Sequence, residues 1–107
     1  MDKVDLATGV PNQQFTAKLG GNRYEIRIVS ADGEMGYDVY INEQVIVEGF
    51  RFVNQQLMLP YVYQEVSGNL LLDVPDDETP NYENFEITQF LYFLDPDEAA
   101  QYRENRP

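Results

Sequence analysis

The segment YINEQVIVEGFRF, Tyr40–Phe52, decides the fold, because it has the pattern of two short strands joined by a tight turn. Apolar and polar residues alternate on both sides of Asn42 and Glu43, which is typical of half-buried strands. Asn takes left-handed backbone more readily than most residues, so we expect a turn at Asn42-Glu43, where Gly would suit the second position better. Gly49 predicts a bulge at which the alternation resets.

The same alternation continues upstream of this segment. QQFTAKL, residues 13–19, and RYEIRIVS, residues 23–30, flank Gly20-Gly21-Asn22. Gly and Asn tolerate positive φ, so this arrangement predicts an antiparallel hairpin. A second turn at Asp32-Gly33 leads into a third alternating run, GYDVYIN, residues 36–42. These runs together predict a meander of short antiparallel strands.

Downstream of the opening segment the pattern is less regular. NQQLMLPYVYQEV, residues 54–66, contains Pro60, which predicts an edge strand or an extended connection. The apolar runs LLLDV, residues 70–74, and ITQFLYFL, residues 87–94, predict strands, the first of them buried on both faces. PDDETPNYENFE, residues 75–86, predicts a surface loop. Asp95-Pro96 fits the start of one or two helical turns.

The predicted fold is therefore all-β: a small antiparallel sandwich or barrel of about seven short strands with a short C-terminal helical turn. The length predicts one domain over residues 1–107, with an extended N-terminal arm at 1–11 and a C-terminal tail at 95–107. The residues expected to shape the turns are Gly20, Gly21, Asn42, Gly49, Gly68 and Asn69.

Composition restricts the chemistry that the chain can perform. Cysteine and histidine are absent, which excludes disulfides, thiolate metal sites and the commonest general base. The net charge of −12 disfavours direct binding to nucleic acid or to an anionic membrane, since both are negatively charged. No apolar run approaches the roughly 20 residues that span a bilayer. The N-terminus lacks the basic and apolar segments of a signal peptide.

The remaining motifs indicate neither a catalytic site nor a metal site. Ser30 and Ser67 lie in turn contexts and have no histidine to activate them. A pair of carboxylates could act as acid and base, but nineteen acids make some close pair nearly inevitable. The acidic segment DVPDDETPNYEN, residues 73–84, lacks the central Gly and the ligand spacing of an EF-hand calcium loop. We therefore expect no catalysis and no cofactor.

The order of several short motifs resembles the baseplate plug proteins of contractile-tailed bacteriophages and related prophages. The similarity covers about residues 11–94. The positions that carry it are Pro11-Asn12-Gln13, Phe15, Tyr24, Asp38, Asn42, Ile46, Gly49 and Gly68-Asn69-Leu70. This chain has Tyr37 where members of the family often have Trp, and Glu43 where they often have Gly.

The resemblance implies a structural component of the virion, built into the central baseplate near the junction of tail tube and hub. Its implied partners are other baseplate, hub and tail-tube proteins, in multiple copies within a symmetric assembly formed in the host cytoplasm. It implies no enzymatic activity. It also suggests a purpose for the acidity, because a surface near the DNA channel should not bind phosphate.

A second class of function stays open on the sequence. The chain could be a free-standing module that binds a carbohydrate or a peptide, with or without calcium, because tyrosines are frequent in such sites. For the assembly function, the arm, the segment at 59–63 and the tail are extended and hard to bury in so small a domain. The predicted protein-interface residues are Val4, Leu6, Val10, Leu59, Tyr61, Tyr63 and Tyr102.

Overall fold

The computed structural model describes residues 1–105; residues 106 and 107 of the predicted tail lie outside the described part. The strands are β1 (Asp2–Val4), β2 (Gln13–Leu19), β3 (Asn22–Ala31), β4 (Glu34–Ile41), β5 (Gln44–Arg51), β6 (Asn69–Asp73) and β7 (Phe90–Leu94). Two 3-10 helices, Val62–Gln64 and Tyr82–Asn84, lie in loops, and the helix α1 spans Pro96–Glu104.

These strands form two antiparallel sheets. One has the order β2-β3-β4-β5 and the other has the order β1-β7-β6. Their facing sides share one apolar core, in which the ring of Tyr24 on β3 meets that of Phe93 on β7 edge-on, with centroids 5.8 Å apart. The predicted all-β fold of about seven short strands is confirmed, and the two packed sheets make it a sandwich.

Three two-residue turns build the four-stranded sheet. Gly20-Gly21, Asp32-Gly33 and Asn42-Glu43 all have positive φ, between 51° and 84°. Positive φ at both central residues gives a turn whose twist matches that of the flanking strands, so each turn fixes its hairpin register. Glu43, at φ 72°, is the one residue among these six that is neither Gly, Asn nor Asp.

A bulge interrupts the pairing of β5 with β4. Tyr37 lies opposite Phe50 whereas Val39 lies opposite Val47, so β5 contains an extra residue between these pairs. Gly49 provides the positive φ, 70°, and its amide donates to Asp38 Oδ1 at 2.6 Å. The alternation therefore resets at Gly49, as its position in the sequence predicts.

A second apolar cluster lies on the other face of the three-stranded sheet. Leu71 of β6 and Leu94 of β7 pack there with Leu57 and with Ala99 of α1. Alternate residues of β6, such as Leu70, face the main core instead. β6 is consequently buried on both sides, and α1 is packed rather than free.

The structure decides between the two alternatives predicted around Pro60, and it changes the predicted strands at the N-terminal arm and at the start of β7. The segment around Pro60 forms no strand; it is a connection with a 3-10 helix and one isolated bridge, Leu57 to Leu71. The arm at 1–11 begins instead with a strand, because β1 pairs with β7 from Asp2 opposite Phe93 to Val4 opposite Leu91. The last strand starts at Phe90 rather than at Ile87.

The α-helix begins as the sequence predicts. Asp95 accepts a hydrogen bond from the Glu98 amide at 2.8 Å, and the Glu98 side chain accepts one from the Asp95 amide at 3.0 Å. This capping box, with Pro96 in the first turn, satisfies backbone donors that the helix leaves unpaired. At nine residues, α1 is slightly longer than the one or two turns expected. Within residues 1–105, no helix is long and apolar enough to cross a membrane.

Candidate assembly surfaces

The segment Tyr61–Val66, called here the tyrosine loop, carries the most exposed group of apolar side chains on the chain. Tyr63 is 83% exposed, Val62 66%, Tyr61 57% and Val66 53%. The Tyr61 and Tyr63 rings stack on each other at 5.6 Å with an angle of 7° between their planes. The loop therefore presents a flat aromatic surface to its surroundings.

Hydrogen bonds hold the backbone of the tyrosine loop in place. The Gln64 amide donates to the Tyr61 carbonyl at 3.0 Å and closes the 3-10 turn, while the Gln64 side chain accepts from the Tyr61 amide at 3.0 Å. The Gln64 side-chain amide also donates to the Ile46 carbonyl on β5 at 3.5 Å. Glu65 is nearly buried and pairs with Arg103 of α1. The loop is thus fixed between β5 and α1, and its exposure does not result from loose attachment.

Asn69 fixes the base of the same loop. Its Oδ1 accepts from the amides of Leu59 and Leu70 at 2.9 and 2.7 Å, and its Nδ2 donates to the Leu59 carbonyl at 2.7 Å and to Glu65 at 2.6 Å. Asn69 is fully buried at the start of β6, so it is not the turn residue that the sequence suggested. It satisfies backbone groups that would otherwise be buried without partners.

The glycines predicted to shape turns have positive φ. Gly20, Gly21 and Gly49 have φ of 57°, 84° and 70°, and Gly68 has φ of 152°. Gly68 is also confined sterically, since a Cβ there would lie 2.1 Å from the Leu94 carbonyl oxygen. Asn42 accepts from the Arg23 amide at 3.1 Å and so ties its turn to the start of β3.

Three of the predicted interface residues lie in the core instead. Val4 and Leu6 are buried in the main cluster, and so is Leu59. The expectation that these side chains are hard to bury is wrong, because β1 joins the second sheet and Asn69 draws the Leu59 backbone inward. They stabilise the chain itself, and they are not available to a partner unless the fold opens.

The rest of the N-terminal arm is also attached along its length. Lys3 forms an ion pair with Glu86, Thr8 Oγ1 donates to the Phe85 carbonyl at 2.9 Å, and the Gly9 amide donates to the Tyr82 carbonyl at 3.3 Å. Val10, at 37% exposure, is the predicted interface residue of the arm that remains accessible.

The tyrosines do not line a common groove. Tyr61 and Tyr63 stack in their loop, whereas Tyr82 packs against the main core, and Tyr92 and Tyr102 pack against the second cluster. Tyr102 donates to the Gln55 carbonyl, so it fastens α1 to the connection that follows β5. The sequence could not separate these roles, because Tyr82 and Tyr102 lie among polar residues and yet pack against apolar clusters.

Tyr37 is a buried aromatic residue of the main core that carries a hydrogen-bond donor. Its hydroxyl donates to the Met58 carbonyl at 2.7 Å, and its ring packs on Phe52 with centroids 4.6 Å apart. Burial raises the pKa of the Tyr37 hydroxyl above its ordinary value. The hydroxyl therefore stays protonated and continues to donate well into the alkaline range.

The acidic loop at 75–89 is organised around two side chains. Gln89 is fully buried; it accepts from the Asn81 amide at 3.0 Å and donates to the Thr79 carbonyl at 2.8 Å. Glu78 accepts from Gln89 at 3.0 Å and from Thr88 at 2.7 Å. In the part of the chain described, no cluster of three or more acids could hold a metal ion.

Charge is divided unequally between the two halves of the molecule. Residues 12–53, which form the four-stranded sheet and its turns, contain six acids and four bases. Residues 54–105, which form the tyrosine loop, the acidic loop, β6, β7 and α1, contain eleven acids and one base. The net charge of −12 therefore belongs mostly to the second region.

A depression with a volume of about 480 Å³ lies beside the bulge in β5. Gly36 and Gly49 contribute to its lining, and Phe50 is an apolar side chain of its wall. Glu34 and Arg51, which also line it, pair with each other at 2.9 Å. Asp38, the third charged residue of the lining, accepts from the Gly49 amide at 2.6 Å, so each of these three charged groups already has a partner within the chain.

Comparison with known families identifies the chain. Residues 1–97 match the family described as the cyanophage baseplate Pam3 plug gp18. The match includes the N-terminal arm as well as both sheets. Among curated proteins, no sequence matches the chain. Because the family match spans most of the 107 residues, the chain belongs to the cyanophage baseplate plug family, as the order of its motifs suggests.

Proposed function

We propose that the chain is a non-catalytic plug of a phage tail baseplate, folded as one domain, which docks hub and tail-tube proteins through the tyrosine loop. Membership of the plug family indicates a structural role in the virion tail baseplate and contact with other baseplate proteins. The observation that supports this docking site is the stacked, exposed pair Tyr61 and Tyr63 on a fixed backbone.

The structure of the loop suits it to this role. Tyrosine is enriched at protein interfaces because it buries a large area at a low cost in side-chain entropy. The bond from the Tyr61 amide to Gln64, and the bonds of Asn69 to Leu59 and to the Glu65 side chain, order the loop before a partner arrives. A pre-ordered surface loses less conformational entropy on docking than a mobile one. Val10 and the outer face of α1 are further candidate contacts.

The acidic region gives the proposal an electrostatic part. Eleven acids and one base between residues 54 and 105 produce a field that repels the phosphate backbone. A plug that lines or blocks the hub channel benefits from such a surface, because DNA can leave without adhering to it. This part fails if the acidic region of the assembled chain faces away from the channel and pairs with basic neighbours.

The experiment is reconstitution of the chain with purified hub and tail-tube proteins. We expect Tyr61→Ala/Tyr63→Ala to lower the amount of chain that co-sediments with the assembled baseplate by about tenfold or more. The matched control is Val53→Ala/Ile87→Ala, which removes two apolar side chains of similar exposure outside the loop. Equal incorporation of both double variants would contradict the proposed docking site.

The alternative, a free-standing binding module, has a separate test. Any ligand that binds only the folded chain raises its melting temperature. We expect the melting curve of the isolated chain to remain unchanged in millimolar calcium and in a panel of soluble oligosaccharides. A reproducible increase of several degrees with any of them would favour the binding module over the plug.

A further inference from the structure

Of the four edges of the two sheets, three are short, covered or interrupted, and the fourth, β2, carries one charged residue, Lys18. β1 has only three residues, and β6 is flanked by the Leu57 bridge and by the Met58 amide, which donates to Leu70 at 2.8 Å. β5 is interrupted by register shifts. β2 is different: its seven residues pair with β3 without a bulge and include no proline. Edges of this kind are templates for strand addition.

The backbone groups of β2 that face outward belong to Gln14, Thr16 and Lys18. Leu19 and Asn22 flank a two-residue turn, so each donates its N–H to the carbonyl of the other. In an antiparallel pair such bonds recur at every second residue, so Ala17, Phe15 and Gln13 also bond to β3. The three residues between them direct their N–H and C=O groups away from the sheet. Within residues 1–105, none of these outward groups has a hydrogen-bond partner.

The core-facing side of β2 is also incompletely covered. Phe15, Ala17 and Leu19 alternate toward the core but are only half-buried. Their neighbours on β3, such as Ile26 and Tyr24, are fully buried. The sandwich therefore leaves a strip of apolar surface directly beside a row of unsatisfied backbone groups.

We propose that β2 pairs with β2 of a second copy of this chain, antiparallel, about a two-fold axis through Thr16. In this register the outward backbone groups of Thr16 meet those of its counterpart, and those of Gln14 meet those of Lys18. On the core side Phe15 lies opposite Ala17, a large side chain against a small one. No like charges face each other, and the two sheets become one continuous sheet.

The charge distribution favours a second copy at this edge. Residues 12–53, which include β2, contain six acids and four bases. Residues 54–105, which lie in the other part of each copy, contain eleven acids and one base. Pairing through β2 therefore brings together the least repulsive surfaces of two molecules that each carry a net charge of −12. This inference does not depend on the proposed docking through the tyrosine loop.

Sedimentation velocity of the isolated chain tests the pairing. We expect a monomer of 12.4 kDa at low micromolar concentration and a growing dimer fraction toward about 200 µM in buffer with moderate salt. Thr16→Pro removes the central outward N–H, a change that an edge strand tolerates, and should weaken dimerisation by at least about tenfold. Circular dichroism of this variant establishes that the fold is retained.

A charge pair tests the register without altering the backbone. Gln14→Glu places a carboxylate opposite Lys18 of the second copy and should tighten the dimer about fivefold, whereas Gln14→Lys should weaken it by a similar factor. Val45→Lys, on the opposite edge strand, is the matched control and should leave the equilibrium unchanged. A chain that stays monomeric at all concentrations, or a dimer unaffected by the Gln14 variants, would overturn the proposal.

Discussion

Gly68 lies so close to the end of β7 that replacing it by Ala should destabilise the fold strongly. In Gly68→Ala the new Cβ would lie 2.1 Å from the Leu94 carbonyl oxygen and 2.7 Å from the Phe93 ring. Ordinary contact needs roughly 3.4 Å or more, so backbone must move by about 1 Å where β6 and β7 begin to pair. The φ of 152° adds strain, because only Gly adopts this conformation readily.

The expected cost follows from these two contributions. Overpacking against backbone costs about 1–3 kcal/mol, and a disfavoured φ costs about 1–3 kcal/mol. Together they remove roughly 2–6 kcal/mol from a domain whose total stability is of the order of 5–15 kcal/mol. At about 4–8 °C per kcal/mol for a chain of this size, the melting temperature should fall by about 8–48 °C.

The matched control is Gly21→Ala in the β2–β3 turn. Gly21 also has positive φ, 84°, but no atom lies within 4 Å of the position its Cβ would take. Its substitution should therefore cost only the strain, about 1 kcal/mol, or roughly 5 °C in melting temperature. Urea unfolding of the two variants measures the difference. Equal destabilisation would refute the steric argument at Gly68.

Three further substitutions test other parts of the fold by the same unfolding assay. Glu43→Gly should stabilise the chain by about 0.5–1 kcal/mol, because Glu43 has φ 72° and its ion pair is exposed; a loss of stability would contradict the strained turn. Asn69→Leu should cost about 3 kcal/mol, since it leaves the backbone groups of Leu59 buried without partners; a cost under about 1 kcal/mol would show that they find others. Tyr37→Phe should cost about 1–2 kcal/mol by leaving the Met58 carbonyl unpaired. Because the pKa of Tyr37 is raised on folding, the wild type should lose stability as pH rises above about 10, and Tyr37→Phe should lose less over that range. If wild type and Tyr37→Phe lose the same stability above about pH 10, the loss does not come from ionisation of Tyr37.

The four-stranded sheet was predictable because its signals are local. Period-two alternation identified its strands, and residues such as Gly20 and Asn42, which tolerate positive φ, marked its turns. Gly49 gave the position of the bulge for the same reason. The start of the helix at Asp95-Pro96 was equally readable, since its signal lies in two consecutive residues.

The features that escaped prediction depend on contacts between distant parts of the chain. β1 has three residues, too few to show a period, and it is a strand only because β7 pairs with it. The sequence around Pro60 left an edge strand and a connection open, and the hydrogen bonds between Asn69 and Leu59 make it a buried connection. Gln89 is fully buried inside the acidic loop, and nothing in the composition of that loop indicates its burial.

The division between core and surface was likewise only partly visible. Leu59 and Tyr61 look equivalent in sequence, yet Leu59 is fully buried and Tyr61 is 57% exposed. Pro60 lies between them, where the chain leaves the core and enters the tyrosine loop. Which apolar residues remain for a partner is decided by the tertiary fold, so the candidate site could be predicted only as a segment.

A cryo-EM map of the assembled tail baseplate would show what surrounds the tyrosine loop. We predict that Tyr61 and Tyr63 are buried against a hub or tail-tube protein, and that the acidic region at 54–105 borders the channel. A map in which the chain occupies the baseplate with the tyrosine loop facing solvent would contradict this prediction.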